Sequence, residues 1–167
     1  MIAEILIKEV KRRLFEEGLP RIEQCLAKLT EAEIWQRPNE QSNSVGNLIL
    51  HLCGNVRQWV IAGLGHQMDV RKRQTEFDER GPITKAKLLE MLMQLKKDVS
   101  TILDMVTEKD LIETHFVQGF QEQGVSILVH VTEHFSYHVG QITYFVKAHK
   151  NVDMRYYEGI DLELKHN

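Results

Sequence analysis

The chain has 167 residues, 43% hydrophobic and 27% charged, with a net charge of −3, which fits a globular protein large enough to bury a sizeable core as one domain over residues 1–167. Its charges are scattered, which argues against a nucleic-acid partner, because phosphate binding needs a concentrated positive field; the one basic cluster, Arg71-Lys72-Arg73, runs straight into Glu76, Asp78 and Glu79 and reads as a solvated mixed-charge loop. Cys25 and Cys53 are too few for a disulfide framework, no run approaches the roughly 18 apolar residues of a membrane span, and the opening segment carries its charges after its apolar residues, unlike a signal peptide, so the expectation is a cytoplasmic protein with reduced thiols and no membrane partner.

In chain order, residues 2 to about 29 predict a long amphipathic helix, with Ile2, Leu6, Val10, Leu14, Ile22, Leu26 and Leu29 close to a 3.6-residue repeat. Gly18 and Pro20 interrupt it and predict a kink or two abutting helices. Thr30-Glu31-Ala32-Glu33 has the capping-box pattern of a short helix that stops before Pro38. Ser42 or Asn43 then caps a second long helix to about Leu64. That helix is largely apolar, yet Asn47, His51 and Asn55 recur in it at four-residue spacing. Polar side chains aligned inside a buried helix are costly unless partnered. Gly46 and Gly54 leave room for a neighbouring helix to approach.

A long polar connection runs from Gly65 to Pro82, and Thr84 caps a third helix through about Val106, its stripe formed by Leu88, Leu92, Leu95, Val99 and Ile102. Thr107-Glu108-Lys109-Asp110 opens another short capped turn, and Leu111 to Gly124, with two glycines and no helical period, predicts a loop or short extended excursion. A fourth long helix runs from about Val125 to between Lys147 and Asn151, with Met154, Tyr156 and Tyr157 after it able to pack back on the body. Four long helices without convincing strands read as an all-α four-helix bundle.

The chemistry concentrates in the fourth helix. His130, His134 and His138 follow one another at four-residue spacing, about 40° apart around a helix, so they form one stripe. Ile127, Ile142 and Phe145 flank it and mark it as inward-facing. Two imidazoles one turn apart can share a cation, and His51 from helix two would complete three nitrogen ligands with a position left open for substrate. His130 and His138 lie about 12 Å apart along the axis, so the pair is either His130/His134 or His134/His138. Zinc suits such a site first and nickel second. Its open position would lower the pKa of a bound water or of a thiol displacing it, and the identity of any catalytic group stays open. Asn47, Asn55, Glu133 and Gln141 are candidates to hydrogen-bond the imidazoles and fix their tautomers. The single Glu-x-x-His spacing, Glu163 to His166, lies in the C-terminal tail, which disfavours a di-iron bundle built on two internal copies.

The segments Asn43-Ser44-Val45, His51-Leu52-Cys53-Gly54-Asn55, Glu76-Phe77 and His134-Phe135-Ser136-Tyr137-His138-Val139-Gly140-Gln141 resemble the DinB/YfiT-like superfamily, and more narrowly a bacterial DinB-like branch. The resemblance covers most of the chain. It implies an up-down-down-up four-helix bundle, commonly a homodimer, with one divalent metal on His51, His134 and His138 and with His130 as a neighbour of the site. Characterised members of that superfamily include bacillithiol S-transferases and mycothiol-dependent maleylpyruvate isomerases. The implied activity is therefore a metal-dependent S-transferase or hydrolase acting on a small electrophilic substrate, with a low-molecular-weight thiol as a cofactor. The competing expectation is a non-catalytic dimeric bundle, a binding or stress-response module with a structural metal or none.

Overall fold

The computed structural model describes residues 2–165; Met1, His166 and Asn167, and with them the Glu163–His166 spacing, lie outside the described residues. The first long helix has three parts, α1 (Ile2–Lys11), a π-helical stretch Arg12–Gly18 and α2 (Leu19–Lys28). Pro20 has no N–H to offer the preceding turn, and the chain widens just before it: the Leu19 N–H donates to the Leu14 carbonyl five residues back. The expected interruption at Gly18 and Pro20 is thus a π turn. Gly18 faces the Phe135 ring, where a Cβ would stand 2.8 Å from a ring carbon, so the interruption coincides with close packing on the fourth helix. Thr30 and Glu33 form the expected reciprocal cap on α3 (Glu31–Trp35).

The second long helix joins α4 (Val45–Val56) to a π-helical stretch Arg57–Leu64. Its N-cap is Ser44 rather than Ser42 or Asn43: the Ser44 hydroxyl accepts from the Asn47 N–H at 3.1 Å, and the Asn47 carboxamide reaches back to the Ser44 N–H at 3.2 Å. Ser42 is instead turned to the Asn39 carboxamide, at 2.9 Å. The Gly65–Pro82 connection holds a short helix, α5 (Arg73–Asp78), and Thr84 caps α6 (Lys85–Leu103) as expected. Thr107 and Asp110 cap α7 (Glu108–Ile112). The predicted extended excursion is an antiparallel hairpin of β1 (Thr114–Val117) and β2 (Phe120–Gln123), with Val117 opposite Phe120. Its two turn residues, Gln118 and Gly119, both have positive φ, 53° and 84°, the backbone that matches strand twist in a two-residue hairpin. The last helix, α8 (Gly124–Lys150), ends on Asn151 in the left-handed conformation.

The chain is mostly helical, and α8 is the element on which the others converge, packing against α2, the first π stretch, α4 and the second π stretch, while α4 also packs on α5 and α6. Leu14, Ile22, Leu26, Ile49, Leu52, Leu88, Leu92, Leu95, Ile127 and Phe135 form the apolar centre. Met154 is buried and Tyr156 packs partly buried against this core, so part of the tail does fold back. Among the described residues no helix is long and apolar enough to cross a membrane.

Candidate metal centre

Adjacency of α4 and α8 brings His51 to His134 and His138. One ligand nitrogen from each lies within 4.8 Å of the others, and the close approaches are His51 Nε2 to His134 Nε2 at 3.1 Å and His138 Nε2 to His134 Nε2 at 3.2 Å. His130, one turn earlier, stacks on Trp59 with ring centroids 3.8 Å apart. Of the two helix-four pairs left open by periodicity, His134/His138 is the one that meets His51.

Neighbouring side chains decide which nitrogens carry protons. His51 Nδ1 lies 2.9 Å from Glu76 Oε2 and 3.1 Å from Arg71 Nη2; that guanidinium nitrogen is closer to the carboxylate, at 2.8 Å, and a carboxylate can only accept, so the Nδ1 proton points to Glu76 and leaves a lone pair on Nε2. Burial pushes the Glu76 pKa up, but the Arg71 hydrogen bonds, followed by those of His51 and their charges, outweigh it and hold the carboxyl below its ordinary value. Arg71 grips both oxygens, Nε to Oε1 at 2.7 Å and Nη2 to Oε2 at 2.8 Å. On the other side His138 Nδ1 donates to Gln141 Oε1 at 2.7 Å, so its Nε2 is also a lone pair. His134 lies between two acceptors. One N–H on its Nε2 can serve only one of them, and protonating the ring would add its hydrogen at Nδ1, not here; burial, then the charges of His138 and His51, in any case lower its pKa to about 3. Three imidazole nitrogens converging in this way form a donor set that fits a divalent cation, and the three histidines could hold one.

Glycine makes the arrangement possible. A Cβ on Gly54 would fall 1.9 Å from Glu76 Oε1, so only a residue without a side chain lets α5 press its glutamate against α4. What approaches Gly54 is thus the carboxylate of a short helix in the connection; what approaches Gly46 is the Trp35 ring, 2.7 Å from where a Cβ would stand. Asn47 lies away from the histidines and holds the connection instead, donating to the Glu76 and Glu79 carbonyls at 2.9 Å each while accepting from Arg37 at 3.2 Å.

A family model described as "Protein of unknown function (DUF1572)" matches residues 2–158. The chain belongs to that family. Solved structures similar to this DUF1572 chain include a conserved protein from Enterococcus faecalis, 19% identical over 87% of this chain and 97% of that one with a TM-score of 0.74. Two DinB-like proteins have the same fold: YjoA from Bacillus subtilis, 16% identical over 87% and 94% with a TM-score of 0.66, and one from Bacillus cereus, 16% identical over 84% and 90% with a TM-score of 0.65. The DinB-like resemblance of the histidine segments is therefore matched by the fold. No curated protein matches the chain significantly.

The remaining sequence candidates of this DUF1572 member divide clearly. Gln141 touches His138, and Asn55 Nδ2 lies 3.4 Å from His130 Nε2. Glu133 does not reach the three histidines: one residue before His134, it sits about 100° around the helix and is exposed. The solvated reading of the basic cluster fails for Arg71, whose side chain is 4% exposed in its pair with Glu76. Periodicity could not find Arg71 or Glu76, since both come from the connection. The available signal was Glu76-Phe77 in the resemblance, together with an interior glycine on the histidine-bearing helix. A cleft of about 390 Å³ opens beside His51 and His134 and is also lined by Asn55, Trp59, Phe120 and His130. Cys53 is not a nucleophile for this cleft, because burial pushes its thiol up to about 12.

Proposed function

We propose that this protein is a divalent-metal-dependent enzyme, an S-transferase or hydrolase acting on a small electrophilic substrate, with His51, His134 and His138 as the metal ligands. The observation that carries the reading is the fixed tautomers: Glu76 and Gln141 take the Nδ1 protons of His51 and His138 and turn both Nε2 lone pairs toward His134. Zinc fits three neutral imidazoles first and nickel second. When bound, such an ion supplies Lewis acidity that lowers the pKa of a ligand at its open position. The protein's own part is orientation and exclusion. Arg71 keeps Glu76 ionised, Glu76 and Gln141 hold two rings in place, and Trp59 with Phe120 shields the cleft beside them. A low-molecular-weight thiol as co-substrate is supported by the superfamily resemblance and by a cleft that opens directly onto the histidines.

The same proposal covers the whole chain as one domain with its long helices in up-down-down-up order, supported by the ring of contacts among α2, α8, α4 and α6 and by the long connection after the second helix. It also covers a homodimer, supported by exposed Tyr137 and Tyr144 on α8, and a cytoplasmic location, supported by the free thiols of Cys25 and Cys53. Metal content measured by plasma mass spectrometry tests the ligand set. Wild type is expected to hold about one ion per chain and His134→Ala essentially none; an unchanged metal content in the variant would overturn the assignment. If fully loaded protein turns over no thiol-electrophile pair and hydrolyses no ester or amide probe, the enzyme reading falls and a non-catalytic metal-binding module replaces it.

A further inference from the structure

The cleft beside His51 and His134 holds polar groups that the folded chain leaves without partners. Asn55 lines it and is 3% exposed. Its Nδ2 approaches His130 at 3.4 Å while its Oδ1 is buried with no hydrogen-bond partner. Turning the carboxamide over would orphan the nitrogen instead, so either orientation leaves one dry polar atom, which costs of the order of 1–3 kcal/mol unless a ligand or water meets it. On the hairpin wall stands Glu122, and on the α5 wall Arg73, its guanidinium 4.8 Å from the centre of the Phe77 ring. Among the described residues neither has an ion-pair partner, whereas the third charged residue, Arg71, is neutralised by Glu76.

We infer that this cleft binds a small zwitterion of α-amino-acid type, its ammonium received by Glu122 and Asn55 Oδ1 and its carboxylate by Arg73. The inference rests on the proposed function only in that the ligand's side chain would then face His51 and His134. A ligand that was only cationic would gain Glu122 and meet Arg73; one that was only anionic would meet the reverse, and an uncharged one would leave both charges without a counter-charge. The exposed Phe120 ring, its centroid 6.2 Å from that of the buried Trp59, adds an aromatic surface suited to an ammonium. The volume lies at the small end of ligand sites, roughly 300–1,000 Å³, which suits an amino acid better than an extended molecule.

Three thiols separate the charges: L-cysteine carries both, cysteamine lacks the carboxylate, and 3-mercaptopropionate lacks the ammonium. Each is titrated calorimetrically into the full chain, metal-free and loaded with one equivalent of zinc. In both forms L-cysteine is expected to bind about tenfold or more tightly than either analogue. Glu122→Gln should remove its advantage over 3-mercaptopropionate and Arg73→Gln its advantage over cysteamine, with melting temperatures unchanged. Equal affinity for the three thiols, or binding of none, overturns the inference. Charge selectivity that zinc does not strengthen leaves the zwitterion site standing and counts against the metal reading, whereas zinc-enhanced binding without selectivity does the opposite.

Discussion

Glu76 does for His51 what Gln141 does for His138: each accepts the Nδ1 proton and so directs an Nε2 lone pair. The two partners differ in how they are reached. Gln141 lies three residues from His138 on the same helix, so the pairing is visible in the spacing; Glu76 comes from a connection 25 residues away and needs Gly54 to admit it. This is why periodicity exposed the histidine stripe, and Gln141 beside it, but made Arg71 a surface residue. Replacing Glu76 with alanine should lower metal affinity by roughly 10–100-fold, the usual cost of losing a group that orients a ligand. It also strands the buried Arg71 charge and should destabilise the fold by about 3–5 kcal/mol. Metal competition assays and urea denaturation check the two effects separately; unchanged affinity in a folded variant would show that Glu76 does not orient His51.

At the level of elements, caps were the most legible features. Thr30, Thr84 and Thr107 each cap the helix their sequence announces, because a cap is decided by residues three apart. The second helix starts one or two residues later than the Ser42 or Asn43 cap predicts, because the polar run continues into Ser44 and only that residue places an amide at N3. That cap reaches beyond its own helix, since the carboxamide it fixes also holds the Glu76 and Glu79 carbonyls. Ser44→Ala should therefore lower stability by about 1 kcal/mol, seen as a lower urea midpoint with an unchanged slope, and an unaltered midpoint would refute the role.

A second tie joins α3 to the end of α8. Glu33 accepts from Lys150 Nζ at 2.6 Å, from its own cap residue Thr30 N–H at 2.8 Å, and lies 3.1 Å from His149 Nε2. The Lys150 hydrogen bond, then that of the Thr30 N–H, lowers its pKa from 4.5 to about 2. A carboxyl depressed in the folded state contributes stability above its unfolded value that disappears as pH falls through the folded one. The Glu33 contribution is thus complete above about pH 4.5 and lost toward pH 2. Glu33→Gln should flatten this part of the acid limb in melting curves taken across that range; a variant limb superimposable on wild type would contradict it.

Across the whole molecule, the helical architecture is legible because four long apolar stripes repeat at helical spacing, and the fold shared with the two DinB-like structures agrees with it. The short pieces were less so: α5 and the β1–β2 hairpin are held by tertiary contacts, α5 through Gly54 and Asn47, the hairpin through Gln118, whose Oε1 accepts from Trp59 Nε1 at 2.8 Å. Those same pieces form walls of the cleft beside the histidines. The long helices thus supply the three imidazoles and Gln141, and the connections that periodicity could not resolve supply Glu76 and Arg71, which orient His51, and shape the approach.

The claim on which this account depends is that His51, His134 and His138 share one cation. An anomalous-scattering map from crystals of the full chain grown with zinc, collected on both sides of the zinc edge, tests it most directly. A single strong peak is predicted at bonding distance from all three Nε2 atoms; density that leaves this point empty, or a zinc ion held elsewhere on the chain, would contradict the account.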